Sequence, residues 1–177
     1  MKKKAVSIRM RPARMNDART ICSLINYYAE RGRMLHRSLE SVYDAIREFQ
    51  VACEPSGRII GCVALDTFWA DLAEIKSLAV ANDRRRMGIG RKLLLAALRD
   101  ARRMSIRKVF ALTYEQAFFE SLGFKTIGRD HLPEKVWTEC IYCPKADACD
   151  EIAMMRTLSD SPAATKKRPA AKKARAK

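Results

Sequence analysis

Apolar residues along this chain fall into runs whose spacing switches between the period of a strand and that of a helix. Residues 7–10 alternate weakly and predict a first strand, closed by Pro12. Asn16 or Asp17 can cap a helix that carries Ile21, Cys22, Ile25 and Tyr28 at helical spacing, with Gly32 as its stop. Ser38 caps a second helix, with Leu39, Val42, Tyr43, Ile46 and Phe49 on one side. Two β-type runs, 51–54 and 58–65, flank the turn residues Pro55, Ser56 and Gly57 and predict a hairpin. A strand over 72–80, a helix over 90–104 with Leu94, Ala97, Leu98 and Ala101 inward, and a short buried strand over 109–113 follow. Such a strand-helix-strand crossover predicts a parallel pair. A further helix over 115–122 ends at Gly123, residues 133–140 are ambiguous, and 151–158 predict a closing strand. The class is α/β (α+β): a mixed central sheet flanked by helices.

From Ser159 onward little remains to bury, so the pattern predicts one domain over 1–158 and a disordered Lys/Ala/Pro tail over 159–177. At 177 residues and 48% hydrophobic content the chain can bury a continuous core. No apolar run approaches a membrane span, and the basic start is not followed by an apolar signal segment, so a cytoplasmic protein with no membrane contact is expected.

The formal charge of +15 changes this picture less than its size suggests. Lys2, Lys3 and Lys4, with Lys166, Lys167, Arg168, Lys172, Lys173, Arg175 and Lys177, carry ten of those charges and leave +5 on the body. A modestly basic body suits an enzyme with a phosphorylated co-substrate, while the tail is expected to bind polyanions weakly and salt-dependently. Nucleic-acid binding as the main function is the alternative, but the folded part contains no recognisable nucleic-acid module.

The chemistry concentrates after the 72–80 strand, where Arg84, Arg85, Arg86, Met87, Gly88, Ile89, Gly90, Arg91 and Lys92 lead straight into a helix. A helix start offers unpaired amides and partial positive charge, and glycines let the backbone approach a diphosphate. After Gly90 there is neither the third glycine of a dinucleotide fingerprint nor the Gly-Lys-Ser/Thr of a Walker loop. Arg85-x-x-Gly88-x-Gly90 instead resembles the coenzyme A pyrophosphate loop of the GNAT superfamily of N-acetyltransferases. Phe118-Phe119-Glu120-Ser121-Leu122-Gly123-Phe124 resembles that family's Phe-Tyr-Glu-x-x-Gly-Phe helix end.

The resemblance spans roughly residues 6 to 158. It implies a GNAT fold, with a parallel splayed pair around the coenzyme A site, and acetyl-CoA as co-substrate. Leu78, Ala79 and Val80 would then flank the pantetheine arm, Arg85, Arg86, Met87, Gly88, Ile89 and Gly90 would hold the pyrophosphate, and Arg91 and Lys92 would lie near the ADP phosphates. Phe119 would also lie at the cofactor; many family members carry a tyrosine there as general acid, and phenylalanine has no proton to give. Tyr114 sits at a strand end and reads as structural. Glu74 is the candidate base, because an ammonium must lose a proton before it can attack a thioester.

Within the superfamily the chain resembles the acetyltransferase domains of N-acetylglutamate synthases, through Arg9-Met-Arg-Pro-Ala13 with Asp17, Met34-Leu-His-Arg-Ser38, Ile60-Gly-Cys-Val-Ala-Leu65, Ala73-Glu-Ile-Lys-Ser-Leu-Ala-Val80 and Leu132-Pro-Glu134. It lacks their amino-acid-kinase-like domain and would be a short, stand-alone type. The resemblance implies L-glutamate as acceptor in the first step of arginine biosynthesis, with Arg37 and Lys76 recognising carboxylate. Another amine acceptor and a homodimer stay open. Cys22, Cys53 and Cys62 lie in apolar stretches and read as core, and disulfides are not expected in a reducing compartment. Cys140-x-x-Cys143 with Cys149 is half of a zinc pattern whose fourth ligand would have to be His131, Asp147, Asp150 or a second chain. Reduced thiols near the acceptor pocket are the simpler reading, and no metal is expected.

Overall fold

The computed structural model describes residues 7–132, 140, 142, 143, 145 and 148–158. The expected tail and most of the ambiguous 133–140 stretch lie outside them. The described chain runs β1 (Arg9–Pro12), α1 (Ala18–Ala29), α2 (Leu39–Asp44), β2 (Phe49–Cys53), β3 (Ile59–Trp69), β4 (Leu72–Val80), α3 (Ile89–Arg103), β5 (Lys108–Thr113), α4 (Gln116–Glu120), β6 (Lys125–Thr126) and β7 (Ile152–Thr157). These strands form a seven-stranded sheet in the order β1-β2-β3-β4-β5-β7-β6.

Neighbours are antiparallel except β4 and β5, whose parallel ladder has three rungs: Leu72 with Lys108, Ala73 with Val109, and Glu74 with Phe110. Beyond Glu74 and Phe110 the two strands no longer pair, although β4 continues to Val80 and β5 to Thr113. That splay opens a cleft inside the sheet. The hairpin tip is tied to the start of β5, because Asp71 O accepts from the backbone N–H groups of Arg107 and Lys108 at 3.0 and 2.8 Å.

Alternation along the strands separates two cores. Val63, Leu65, Ala73 and Ile75 face α3 and pack with Leu93, Leu94, Leu98, Val109, Phe119 and Met154. Cys62, Ala64, Val51 and Phe49 face the other side and pack with Ile21, Ile25 and Val42 from α1 and α2. A third cluster, Phe68, Leu72, Phe110, Leu132 and Ala153, closes the ladder end. Each fully buried Leu or Ile contributes about 1.5–3 kcal/mol. Gly61 lets α3 come down onto β3: a Cβ there would stand 2.9 Å from Leu93 Cδ1 and 3.0 Å from Ala79 O.

Several boundaries differ from the pattern. Pro12 belongs to β1, opposite Gln50, because an edge strand tolerates a residue with no N–H. The helix expected to reach Phe49 stops at Asp44, and after a 3-10 turn over Ile46–Glu48 the Phe49 side chain enters the sheet core opposite Ala64. β3 runs on to Trp69, past the end expected at Leu65. β6 has only two residues, both exposed, and no hydrophobic period announces it.

Candidate active site

Three features of β4 shape the cleft. At its ladder end, Glu74 is buried at 7% exposure, directly opposite Asp66 on β3. Lys76, two residues on along the same face, places Nζ 2.7 Å from Asp66 Oδ2 and 3.3 Å from Glu74 Oε2. The β3–β4 register then shifts between Cys62/Ala79 and Ala64/Lys76, and Ser77 adopts a left-handed φ of 53°. A bulge of this kind re-aims the backbone that follows. Cys62 lies beneath it with Sγ 3.5 Å from Ser77 O, and burial pushes its thiol up to about 12.

Arg37 approaches the bulge from the loop before α2. Its Nη1 donates to Ser77 Oγ at 3.5 Å, while Nε and Nη2 donate to Ser41 Oγ and Ser41 O at 3.4 and 3.2 Å. The structure therefore brings Arg37 to the residue that follows Lys76. Tyr28, from α1, donates its hydroxyl to Val80 O at the end of β4. Burial raises that phenol, with Arg85 opposing the shift. Arg33 pairs with Glu115, joining the α1–α2 loop to the start of α4.

Past Val80 the chain turns through Asn82–Arg84 into α3. Arg86 and Gly88 both take left-handed φ, 61° and 71°, and Gly88 caps α3 in a conformation that favours glycine. The first intrahelical bond runs from Lys92 N to Gly88 O at 3.1 Å. The amides of Ile89, Gly90 and Arg91 ahead of it have no backbone acceptor among the described residues. Arg85, Arg86, Met87, Gly88, Arg91 and Lys92 are exposed, whereas Ile89 is buried. Among the described residues, none of Arg85, Arg86, Arg91 and Lys92 is in an ion pair, while Arg84 is held by Glu54 and Asp83. The cationic loop is thus free to meet an anion.

Leu78 and Val80 are partly buried, and Ala79 packs inside the α1–α2 core. Phe119 is in the core at 5% exposure, edge-on to Phe118 and Phe124 with centroids 5.3 and 5.1 Å away. Phe118 is the aromatic residue that faces the glycine loop: a Cβ on Gly90 would lie 3.6 Å from its Cζ. The Tyr114 hydroxyl donates to Asp150 Oδ1 at 2.6 Å and accepts from Lys145 Nζ at 2.8 Å.

The Cys140 carbonyl accepts from Cys143 N at 3.0 Å. Burial raises the Cys140 thiol, and Cys149, Cys143, Glu74 and Glu151 raise it further, so this turn lies within electrostatic reach of Glu74. Among the described residues no group of three or more His, Cys, Asp or Glu could hold a metal ion. No helix among them is long and apolar enough to cross a membrane. Sequence reasoning gives no site role to Asn26, Tyr28, Ser41 or Asp66, and Phe118 enters it only as part of the 118–124 motif. In the sequence Tyr28 reads as an apolar helix position, and the polar residues of α1 and α2 carry no motif.

The sequence profile of the acetyltransferase (GNAT) family matches residues 18–124. The chain is 43% identical to an uncharacterized N-acetyltransferase of Chlorobaculum tepidum, over 84% of this chain and 96% of that one. It is 36% identical to the amino-acid acetyltransferase of Mycobacterium tuberculosis, over 73% of this chain and 75% of that enzyme. Among solved structures, N-acetylglutamate synthase from Neisseria gonorrhoeae, complexed with coenzyme A and N-acetyl-glutamate, superposes with a TM-score of 0.79 at 32% identity. That match covers 88% of this chain but only 36% of the synthase. With the splayed parallel pair and the cationic helix start, these likenesses identify the chain as a member of the GNAT acetyltransferase family, an acetyl-CoA-dependent N-acetyltransferase.

Proposed function

We propose that the acceptor is the α-amine of an acidic amino acid, L-glutamate. The observation that carries this reading is the gathering, around one bulge of β4, of a buried carboxylate, Glu74, of Lys76 paired with it, and of Arg37 on the bulge residue Ser77. Such a site is amphoteric. Carboxylates at Glu74 and Asp66 suit an ammonium, and a guanidinium suits a carboxylate bound bidentately. The likeness to a synthase solved with N-acetyl-glutamate supports the same acceptor.

In this reading the loop from Arg85 to Lys92 takes the phosphates of acetyl-CoA, and Leu78, Ala79 and Val80 flank its pantetheine arm. Glu74 accepts the ammonium proton through a water. The freed nitrogen lone pair attacks the thioester carbonyl, and the carbon–sulfur bond breaks as the tetrahedral adduct collapses. Phe119 has no proton to give, so the departing thiolate is protonated by solvent. Lys76, 3.3 Å away, holds the Glu74 carboxylate in place beside the bulge. The catalytic unit is residues 1–158, with residues 159–177 a polyanion-binding appendage. A product acetylated on glutamate would enter arginine biosynthesis in the cytoplasm.

The test is release of coenzyme A by the purified protein with glutamate, glutamine, alanine, lysine and a lysine-containing peptide. Glutamate should give the highest kcat/KM. Turnover confined to lysine or the peptide would overturn the reading.

A further inference from the structure

Arg37 is held by its backbone as well as by its side chain. Asn26, on α1, accepts from Arg37 N at Oδ1 and donates from Nδ2 to Arg37 O, both at 2.9 Å. A flipped carboxamide would set donor against donor and acceptor against acceptor, so the two bonds together define its orientation. Cys22, one turn earlier on α1, adds Sγ at 3.4 Å from the same carbonyl, and Asn26 Nδ2 lies 3.4 Å from that Sγ. This pair of bonds fixes both polar groups of one loop residue, as a neighbouring strand would. Beyond it, Ser41 takes Nε and Nη2, Ser77 takes one N–H of Nη1, and the Phe49 ring lies 5.7 Å from Cζ. Three of the five guanidinium N–H groups are therefore engaged, and two have no acceptor among the described residues.

We infer that Asn26 is a positioning residue for acceptor recognition. It holds the Arg37 peptide so that the two remaining guanidinium N–H groups are aimed at an acceptor carboxylate before the acceptor arrives. The inference rests on the reading of Arg37 as the carboxylate-binding residue. An arginine on a loose loop would have to be ordered during binding, and that cost would appear in acceptor affinity and not in the chemical step. Here α1 does the ordering in advance, with a carboxamide that itself never meets the acceptor.

The experiment is a double-mutant cycle in steady-state kinetics, using Asn26→Ala, Arg37→Ala and the pair, with thermal melts to confirm folding. Asn26→Ala should raise the glutamate KM about tenfold and leave kcat and the acetyl-CoA KM within about twofold. In the Arg37→Ala background it should change the glutamate KM no further, because the two residues act as one unit. If Asn26→Ala does not fold, Asn26→Asp serves in its place, since it keeps the acceptor for Arg37 N and loses the donor to Arg37 O. An unchanged KM in the Asn26 variant beside a raised one in Arg37→Ala would overturn the inference and leave the reading of Arg37 intact. An equal rise in both backgrounds would also overturn it. An unchanged KM in Arg37→Ala would overturn that reading itself, and the inference with it.

Discussion

Lys76 Nζ stands 3.3 Å from the carboxylate of Glu74, and the two side chains share one face of β4. In the proposed reading this carboxylate is the group that takes a proton from the incoming amine. Glu74→Gln keeps the shape and removes the base. It should lower kcat about 100-fold or more with little change in the acetyl-CoA KM, and recover part of the loss at high pH, where more acceptor is already free amine. A pH profile of kcat from 6 to 10 for both proteins checks this.

Removing the charged partner of a desolvated carboxylate costs about 2–5 kcal/mol. Arg37→Ala should therefore raise the glutamate KM at least about 30-fold, while acetyl-CoA binding, which the proposed reading assigns to the loop from Arg85 to Lys92, should stay intact. Initial rates with each substrate varied in turn measure both constants.

A Cβ at Gly90 would make ordinary contacts with Phe118 at 3.6 Å and Val80 at 3.8 Å, so the fold can take a side chain there. Gly90→Val should stay folded yet bind acetyl-CoA at least about tenfold more weakly, because the added methyls stand where the backbone must approach the diphosphate. Titration calorimetry on the variant, with circular dichroism for its fold, measures the loss. Unchanged affinity in a folded variant would sink the assignment of the loop.

Asp17 anchors the entry to α1. It accepts from Arg11 at 2.6 and 3.0 Å and from Arg14 N at 2.7 Å, and its carboxyl is held below the usual range chiefly by the Arg11 hydrogen bond, against burial. With the folded pKa depressed, the stabilisation is complete above the unfolded carboxylate pKa and disappears as pH falls through the folded one. Asp17→Asn should cost about 1.5–3 kcal/mol at pH 7, with the gap to the parent closing as the medium is acidified below the unfolded pKa. Urea denaturation along a pH series reads the difference.

Deleting residues 159–177 should leave kcat and both KM values within about twofold, since that stretch has almost no apolar side chains with which to dock. It should weaken retention on heparin and flatten the salt dependence of that retention. A large fall in turnover would place part of the catalytic unit beyond Leu158.

The order of elements was legible because each has its own period, and the cationic glycine loop was legible because its spacing is local. Phe49 departs from its helical period for a physical reason: the spacing from Val42 and Ile46 is real, yet the side chain is buried by the sheet, so pairing with Ala64 prevails over periodicity. Arg37 and Lys76 lie 39 positions apart in sequence, and only the Ser77 bulge brings the first to the neighbour of the second. Asn26 was not legible. An asparagine inside a helix gives no sign of what its carboxamide grips, and Arg37 lies 11 residues away. Phe118 and Phe119 adjoin in sequence, but only the fold shows that the first faces Gly90 while the second is core.

The three-rung ladder between β4 and β5 has a mechanical consequence. On the α3 side a single core runs beneath both halves of the sheet, holding Ile75 and Val109 alike, whereas on the opposite side, among the described residues, the α1–α2 core includes β2, β3 and β4 but no residue of β5. The separate cluster of Phe68, Leu72 and Phe110 holds β5 there instead. The two halves of the sheet thus share one hydrophobic backing on the α3 face and have separate ones on the other, so any hinge between them would lie along the three-rung ladder.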